Sequence, residues 1–234
     1  MLFKKPNVFD KSIEVFRLDD ISLLHLHAKN LTKFSLDLCK DCEKVLALLR
    51  GRCRTGGHEL YEKDLLYIPV DIDHMDIECT ENTIAYIVQA KTSRKFGMYL
   101  KRFEEAEKTV IESAGSRRIR YTLIGEKDES ERILAGYTFC EPGSWGSYPP
   151  HRHDDMYEIF IYFDLGPYFG VQTIFDESQE GVYIVRDYDV VLVSRGYHPN
   201  VSTPMRGLKY LWIMVSKKGP KTHKMDIHPL YAKT

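Results

Sequence analysis

Four side chains in this 234-residue chain have the types and spacing of a metal site. His151 and His153 stand at alternate positions, Glu158 follows five residues later, and His198 lies forty residues beyond it in GYHPN. Imidazole nitrogens with one carboxylate suit Zn²⁺ and also accommodate Mn²⁺, Fe²⁺ or Ni²⁺. Residues two apart on a strand point the same way, so His151 and His153 can hold one ion together. A carboxylate opening an apolar strand is costly to bury unless a cation or donors meet it. A single histidine before a strand is an ordinary capping or surface residue. The combination of four points to metal.

The surrounding elements have to bring these groups to one place. An uninterrupted strand would send Glu158 to the face opposite His153, but Asp154-Asp155 allows a break after which EIFIYFD starts a neighbouring strand. Phe160 and Tyr162 then share the face of Glu158, while Ile159, Ile161 and Phe163 take the other. Both faces are apolar, as in a strand buried on two sides. The run VVLV, residues 190–193, leads to His198. Arg152, between the ligand histidines, points to the opposite face.

Lys+Arg 33 against Asp+Glu 34 gives a formal charge of −1, with no basic field or helix-turn-helix pattern for nucleic acid. With 15 Tyr and 11 Phe the composition reads as strand-rich and globular. No apolar run is long enough to span a bilayer, and MLFKKPNVFDKS lacks a signal-peptide core, so a cytoplasmic protein without a membrane partner is expected. The five cysteines (Cys39, Cys42, Cys53, Cys79 and Cys140) are an odd number without secretory context, so reduced thiols are expected. Cys39 and Cys42 form a C-x-x-C, but no second pair and no βα unit support a zinc or redox role.

From Ile21 to about Ala90, short strand-like runs alternate with turns, as in an all-β sandwich or barrel. Residues 97–115 are charged and helix-tolerant, with a break at Ala114-Gly115-Ser116, and read as a connection between two units. A second series of strands follows from Arg117 to about Ser216, and then a basic tail expected to lie on the surface. The units look like copies: Glu43 and Glu158 each precede a glycine by eight positions, and DLLYIP from Asp64 aligns with DVVLVS from Asp189. Under that alignment the ligand positions fall on Leu36, Leu38 and Asp73, which predicts one metal per chain, in the C-terminal unit. His25, His27, His74, His223 and His228 are expected to be structural or surface residues.

The H-x-H-x₄-E segment, a histidine past a later strand and two β units resemble the cupin superfamily in a two-barrel arrangement. EPGSWGSYPPHRHD, DVVLVSRGYHP and YLWIMVS are similar to the 5-deoxy-glucuronate isomerases of inositol catabolism, and HRHDDMYEIFIYFDL to the 5-keto-4-deoxyuronate isomerases of pectin breakdown. The resemblance implies an N-terminal cupin-like barrel over residues 1–105 without ligands and a metal-binding barrel over 106–234. It further implies a homo-oligomeric enzyme that interconverts aldose and ketose forms of a sugar acid through a metal-stabilised enediolate, with one divalent ion, zinc foremost. Proton transfer needs an acid or base, for which Tyr162 is the candidate, an aromatic filling the barrel being the competing reading. Arg195, before the GYH segment, is placed either to clamp the substrate carboxylate or to form a surface ion pair. Tyr210 and Trp212 alternate on the last strand and line the interior or fill the core. An iron-dependent oxygenase and a non-catalytic sugar-binding protein are the alternative functions.

Overall fold

The computed structural model describes residues 1–113 and 116–232. Among them the regular structure is β throughout, apart from two single 3₁₀ turns at Phe103–Glu105 and Pro229–Tyr231. The chain divides into two units. One comprises Pro6–Ala106 with Lys127–Ile133, the other Met1–Lys5, Glu107–Glu126 and Leu134–Thr234.

In chain order the strands begin with β1 (Leu2–Phe3), β2 (Lys11–Leu18), β3 (Ile21–Ala28), β4 (Thr32–Asp37), β5 (Cys42–Arg50) and β6 (Cys53–Thr55). They continue with β7 (His58–Leu60), β8 (Leu65–Ile68), β9 (His74–Cys79), β10 (Thr83–Lys91) and β11 (Tyr99–Lys101). Next come β12 (Glu107–Ser113), β13 (Ser116–Ile124), β14 (Ile133–Cys140), β15 (Trp145–Gly146), β16 (His151–Arg152) and β17 (Met156–Tyr162). The last are β18 (Gly170–Asp176), β19 (Gln179–Val185), β20 (Val190–Val193), β21 (Asn200–Ser202), β22 (Lys209–Ser216) and β23 (Asp226–Ile227).

The two units follow one plan. The first has sheets ordered β11-β8-β5-β10-β3-β2 and β4-β9-β6-β7; the second has β1-β20-β17-β22-β14-β13-β12 and β15-β21-β18-β19. Place for place, β1 stands where β11 does, β20 where β8 does and β17 where β5 does, and β12 is an added edge. Asp64 and Asp189, each just before a corresponding strand, do the same work. Asp64 accepts from the backbone N–H groups of Tyr61 (2.9 Å) and Phe103 (3.1 Å) and from Arg102 Nη1 (2.6 Å). Asp189 accepts from the N–H groups of Arg186 (2.9 Å) and Lys5 (3.0 Å) and from Lys4 Nζ (2.8 Å). Each buried carboxylate thus ties its loop to the neighbouring edge segment through charge-assisted bonds.

The equivalent glutamates have diverged. Glu43, on β5, accepts from the N–H groups of Glu131 (2.8 Å), Arg132 (2.6 Å) and Ile133 (3.2 Å) and from the Tyr67 hydroxyl (3.1 Å). Leu36 and Leu38, which align with the ligand histidines, are packed into the apolar core of the first unit with Leu46, Leu66 and Ile87. His25 and His27 are buried on β3, and exposed His74 pairs with Asp37 at 3.0 Å.

Three expectations are corrected. Residues 97–115 form no α-helix: β11, a 3₁₀ turn and β12 occupy the described part, and Ala114 and Gly115 of the expected break lie outside it. On β12, Thr109 and Ile111 are half-buried while Lys108, Val110 and Glu112 face out, so the charges line the solvent face of an edge strand. Cys39 and Cys42 are joined as a disulfide, with Cα atoms 5.6 Å apart across a turn in which Asp41 adopts φ 57°; Cys53, Cys79 and Cys140 are free and buried. The tail contributes β23, which pairs with β16, so it belongs to the site rather than to the outer surface alone. No helix among the described residues is long and apolar enough to cross a membrane.

Candidate metal centre

A turn at Asp154-Asp155, closed by the Met156 N–H on the His153 carbonyl (3.2 Å), separates β16 from β17. It turns Glu158 toward the histidines as the sequence requires. β20 pairs with β17 with Val193 opposite Glu158, and a reversal at Gly196 (φ 93°) then carries His198 in beside them. A Cβ at Gly196 would lie 2.9 Å from the Phe175 carbonyl oxygen, so this close turn requires glycine. The ligand atoms of His151, His153 and His198 lie within 4.8 Å of one another, the one such cluster of three or more among the described residues. Glu158 Oε2 is 2.9 Å from His198 Nε2 and 3.7 Å from His153 Nε2.

The outer nitrogen of each ring is already committed. His151 Nδ1 is 2.8 Å from the Pro149 carbonyl, His153 Nδ1 2.7 Å from that of Lys224, and His198 Nδ1 2.9 Å from that of Gly196. A carbonyl only accepts, so each Nδ1 carries the proton and each Nε2 presents a lone pair. The inward His198 Nε2 and Glu158 Oε2 are buried without a hydrogen-bond partner, although they approach to 2.9 Å. With the imidazole neutral these are two electron-pair donors facing each other, a pair that a metal ion or a proton between them satisfies. Ring N–H groups held by carbonyls are also how metal-binding histidines are oriented, so these residues fit a divalent ion.

Electrostatics set His151 and His153 apart from His198. Burial pushes His151 down to about 3 and lowers His153, keeping both imidazoles neutral. For Glu158, burial works upward but the three histidines, His198 first, outweigh it and hold the carboxyl at about 2. His198 is raised, because Glu158 overcomes the opposing effect of burial.

The cluster opens into a cavity of about 340 Å³. Its sheet wall runs from Glu158 on β17 through Trp212 and Tyr210 on β22 and Thr138 on β14 to Arg118 and Arg120 on β13, and the tail adds His223. Tyr210 therefore lines the interior, its hydroxyl kept protonated by burial, with Ser147 and Thr138 as partners. Gly136 makes room for Trp212: a Cβ there would stand 2.5 Å from the indole Cζ2 and 2.1 Å from the Tyr121 carbonyl oxygen.

Two expected residues stand elsewhere. Tyr162 does share the Glu158 face, but deeper, where its hydroxyl donates to Gln172 Oε1 (2.5 Å). Arg195 is exposed and pairs with Asp176 at 3.5 Å, because the Gly196 turn brings His198 in and leaves the preceding side chain outside. Neither lines the cavity. Arg118, Arg120 and His223 do; sequence reading passed over the two arginines and expected His223 to be structural or on the surface. The signal for the arginines was their i, i+2 spacing on RIRYTLIG, which puts both on one face. His223 had no local signal.

A model of the KduI/IolB family matches residues 14–233. A 5-deoxy-glucuronate isomerase of Geobacillus thermodenitrificans is 29% identical over 199 residues, covering 74% of this chain and 72% of that protein. A 4-deoxy-L-threo-5-hexosulose-uronate ketol-isomerase of Opitutus terrae is 33% identical over 100 residues, 42% of this chain and 36% of its own length. In three dimensions the chain is similar to an IolB-like protein from Salmonella typhimurium, with TM-score 0.85, 15% identity and coverage of 99% and 98%. It also resembles Bacillus subtilis oxalate decarboxylase, a protein with Mn(II) centres, with TM-score 0.65, 14% identity and coverage of 92% and 74%.

Proposed function

The chain belongs to the KduI/IolB family, and from that premise we propose that it is a metal-dependent isomerase of a sugar acid, interconverting aldose and ketose forms through an enediolate. The organisation proposed is two tandem cupin-like barrels, with one divalent ion per chain in the C-terminal barrel and zinc the best-suited metal. The observation that carries this is the set of three Nε2 lone pairs and one buried carboxylate oxygen, all turned inward by their outer contacts.

His151, His153, His198 and Glu158 would hold the ion. A cation held there would polarise a carbonyl and its neighbouring hydroxyl and offset the negative charge that builds on them when a proton leaves carbon. The Pro149, Lys224 and Gly196 carbonyls fix the imidazoles in the tautomer that can bind it. Tyr210 presents a protonated hydroxyl to a substrate oxygen. Met214, Trp212, Met225 and Ile227 line the same cavity and reduce the water around the reacting carbons.

The test is elemental analysis of the purified protein together with isomerisation assays on 5-deoxy-glucuronate and 4-deoxy-L-threo-5-hexosulose-uronate. About one zinc or manganese per chain with turnover of either compound is the expected result. Iron with oxygen uptake and no isomerisation replaces this reading by the oxygenase. His153→Ala should lose both metal and turnover, and an active variant without metal would remove the site from the reaction. Sedimentation of the purified protein checks the expected homo-oligomer.

A further inference from the structure

The cavity carries a second set of polar groups, distinct from the four inward-facing ligands. On β13, Arg118 and Arg120 face the same way, and they differ in how they are held. Arg118 is buried and held at both ends of its fork, with Nη1 on Ser116 Oγ (2.7 Å) and Nη2 on the Tyr148 carbonyl (2.6 Å). The buried Nε–H of Arg120 has no partner. On β22, Trp212 is 4% exposed and its Nε1–H is likewise buried without a partner. His223, whose ring is 5.6 Å from that of Trp212, presents an unpartnered Nε2 to the same space.

Buried donors without acceptors are rare, because each forfeits a hydrogen bond it would make in water. Here two stand on one cavity beside a guanidinium. Among the described residues the single acidic side chain lining that cavity is Glu158, which is turned to the histidines. The charge balance of the remainder is positive, and it calls for an anion. A planar anion that accepts several bonds suits an arginine and an indole N–H that border one cavity. β22 and β14 lie between the strands bearing Glu158 and Arg120, so those backbones are three strand spacings, about 14 Å, apart. Side chains from both ends and a short carbon chain between them fill such a span.

We infer that Arg120, with the Trp212 indole N–H, is the carboxylate-recognition element of this cavity, and that Arg118 and His223 complete its wall. It takes a substrate whose carboxylate lies at the far end of the carbon chain from the reacting carbonyl. The inference rests on the sugar-acid reading above and adds what selects the acid: Arg120 determines specificity and Arg118 reinforces the charge from a fixed position.

The test uses zinc-loaded full-length protein and two probes, D-glucuronate and its uncharged counterpart D-glucuronamide, with binding measured by calorimetry. Wild type should prefer the acid. Arg120→Met should weaken D-glucuronate binding about 10- to 100-fold, the size of a lost charge-assisted contact, with D-glucuronamide nearly unchanged and metal content equal. Trp212→Phe should weaken the acid about 3- to 10-fold. If Arg120→Met loses its metal, Arg120→Lys decides, since it keeps the charge but not the fork and should still narrow the preference for the acid. A wild type that does not distinguish the two probes, or an Arg120 variant that weakens both alike, overturns the assignment. Arg120-dependent preference for the acid in a protein that turns over neither uronate would leave the clamp standing and overturn the isomerase reading instead.

Discussion

Deleting residues 220–234 should disable the metal centre while leaving the first unit folded. The deletion removes four things that the structure ties to the histidine cluster. The Lys224 carbonyl, acceptor for His153 Nδ1 at 2.7 Å, is lost. So is β23, which pairs Ile227 with His151 and Asp226 with Arg152. The bond from His228 N–H to the Pro150 carbonyl (2.8 Å) goes as well, and with it the His223, Met225 and Ile227 part of the cavity wall. Loss of one outer partner of a ligating histidine typically costs about 10- to 100-fold in metal affinity. Here one histidine loses its acceptor and another the strand beside it, so a weakening of about 100-fold or more is expected. Competition titration against a zinc chelator measures it, and thermal melting of the metal-free protein checks that folding survives. Lys224→Ala is the control: it keeps the backbone carbonyl and should bind metal as wild type does. A truncated chain that binds zinc as tightly as the full chain would refute the claim that the tail orients the site.

Glu43→Ala should destabilise the first unit by about 2–6 kcal/mol, from two buried N–H groups, those of Arg132 and Ile133, left unpaired at about 1–3 kcal/mol each. Urea unfolding measures this, and a loss below about 1 kcal/mol would show that water replaces the carboxylate. Asp10 is held at about 2 by hydrogen bonds from Thr32, Asn30 and Lys29, which outweigh the opposing effect of desolvation. Its folded value is depressed, so its stabilisation should be complete above the ordinary value of 3.8 and disappear as pH falls through about 2. Asp10→Asn should flatten that part of the melting-temperature profile; equal slopes in the two proteins would contradict this. Thiol titration should find the three buried cysteines unreactive in the native protein and exposed on denaturation, with two more appearing only after reduction. Burial pushes the Cys140 thiol up to about 12, so alkylation at neutral pH should spare it until unfolding.

The four inward-facing groups were legible because their signals are local. Alternation puts His151 and His153 together, an acidic turn explains Glu158, and a strand end delivers His198. The offset between Asp64 and Asp189 was likewise readable, and the structure gives those two residues matching partners. What escaped depends on distance and depth. Parity placed Tyr162 on the correct face but could not say how far in, and its hydroxyl meets Gln172. Adjacency to the GYH segment suggested Arg195, yet one glycine turn separates neighbours in sequence onto opposite sides. β12 was misread as helix-tolerant because edge strands carry charge as exposed helices do. Arg120 and His223 come from strands and loops whose positions only the assembled sheet determines.

β1 has a consequence for how the chain can be divided. Leu2 and Phe3 pair with Val191 and Val190, and Lys4 and Lys5 satisfy Asp189. A fragment starting at residue 106 would contain His151, His153, Glu158 and His198 and still lack one strand of their unit. Its β20 would be an open edge available to other chains, and its Asp189 would be buried without its cation. During synthesis β1 emerges well before its partner β20, with the other unit and most of its own unit made in between. The unit that holds the histidine cluster is therefore the last to have all its residues, and no single cut separates the two.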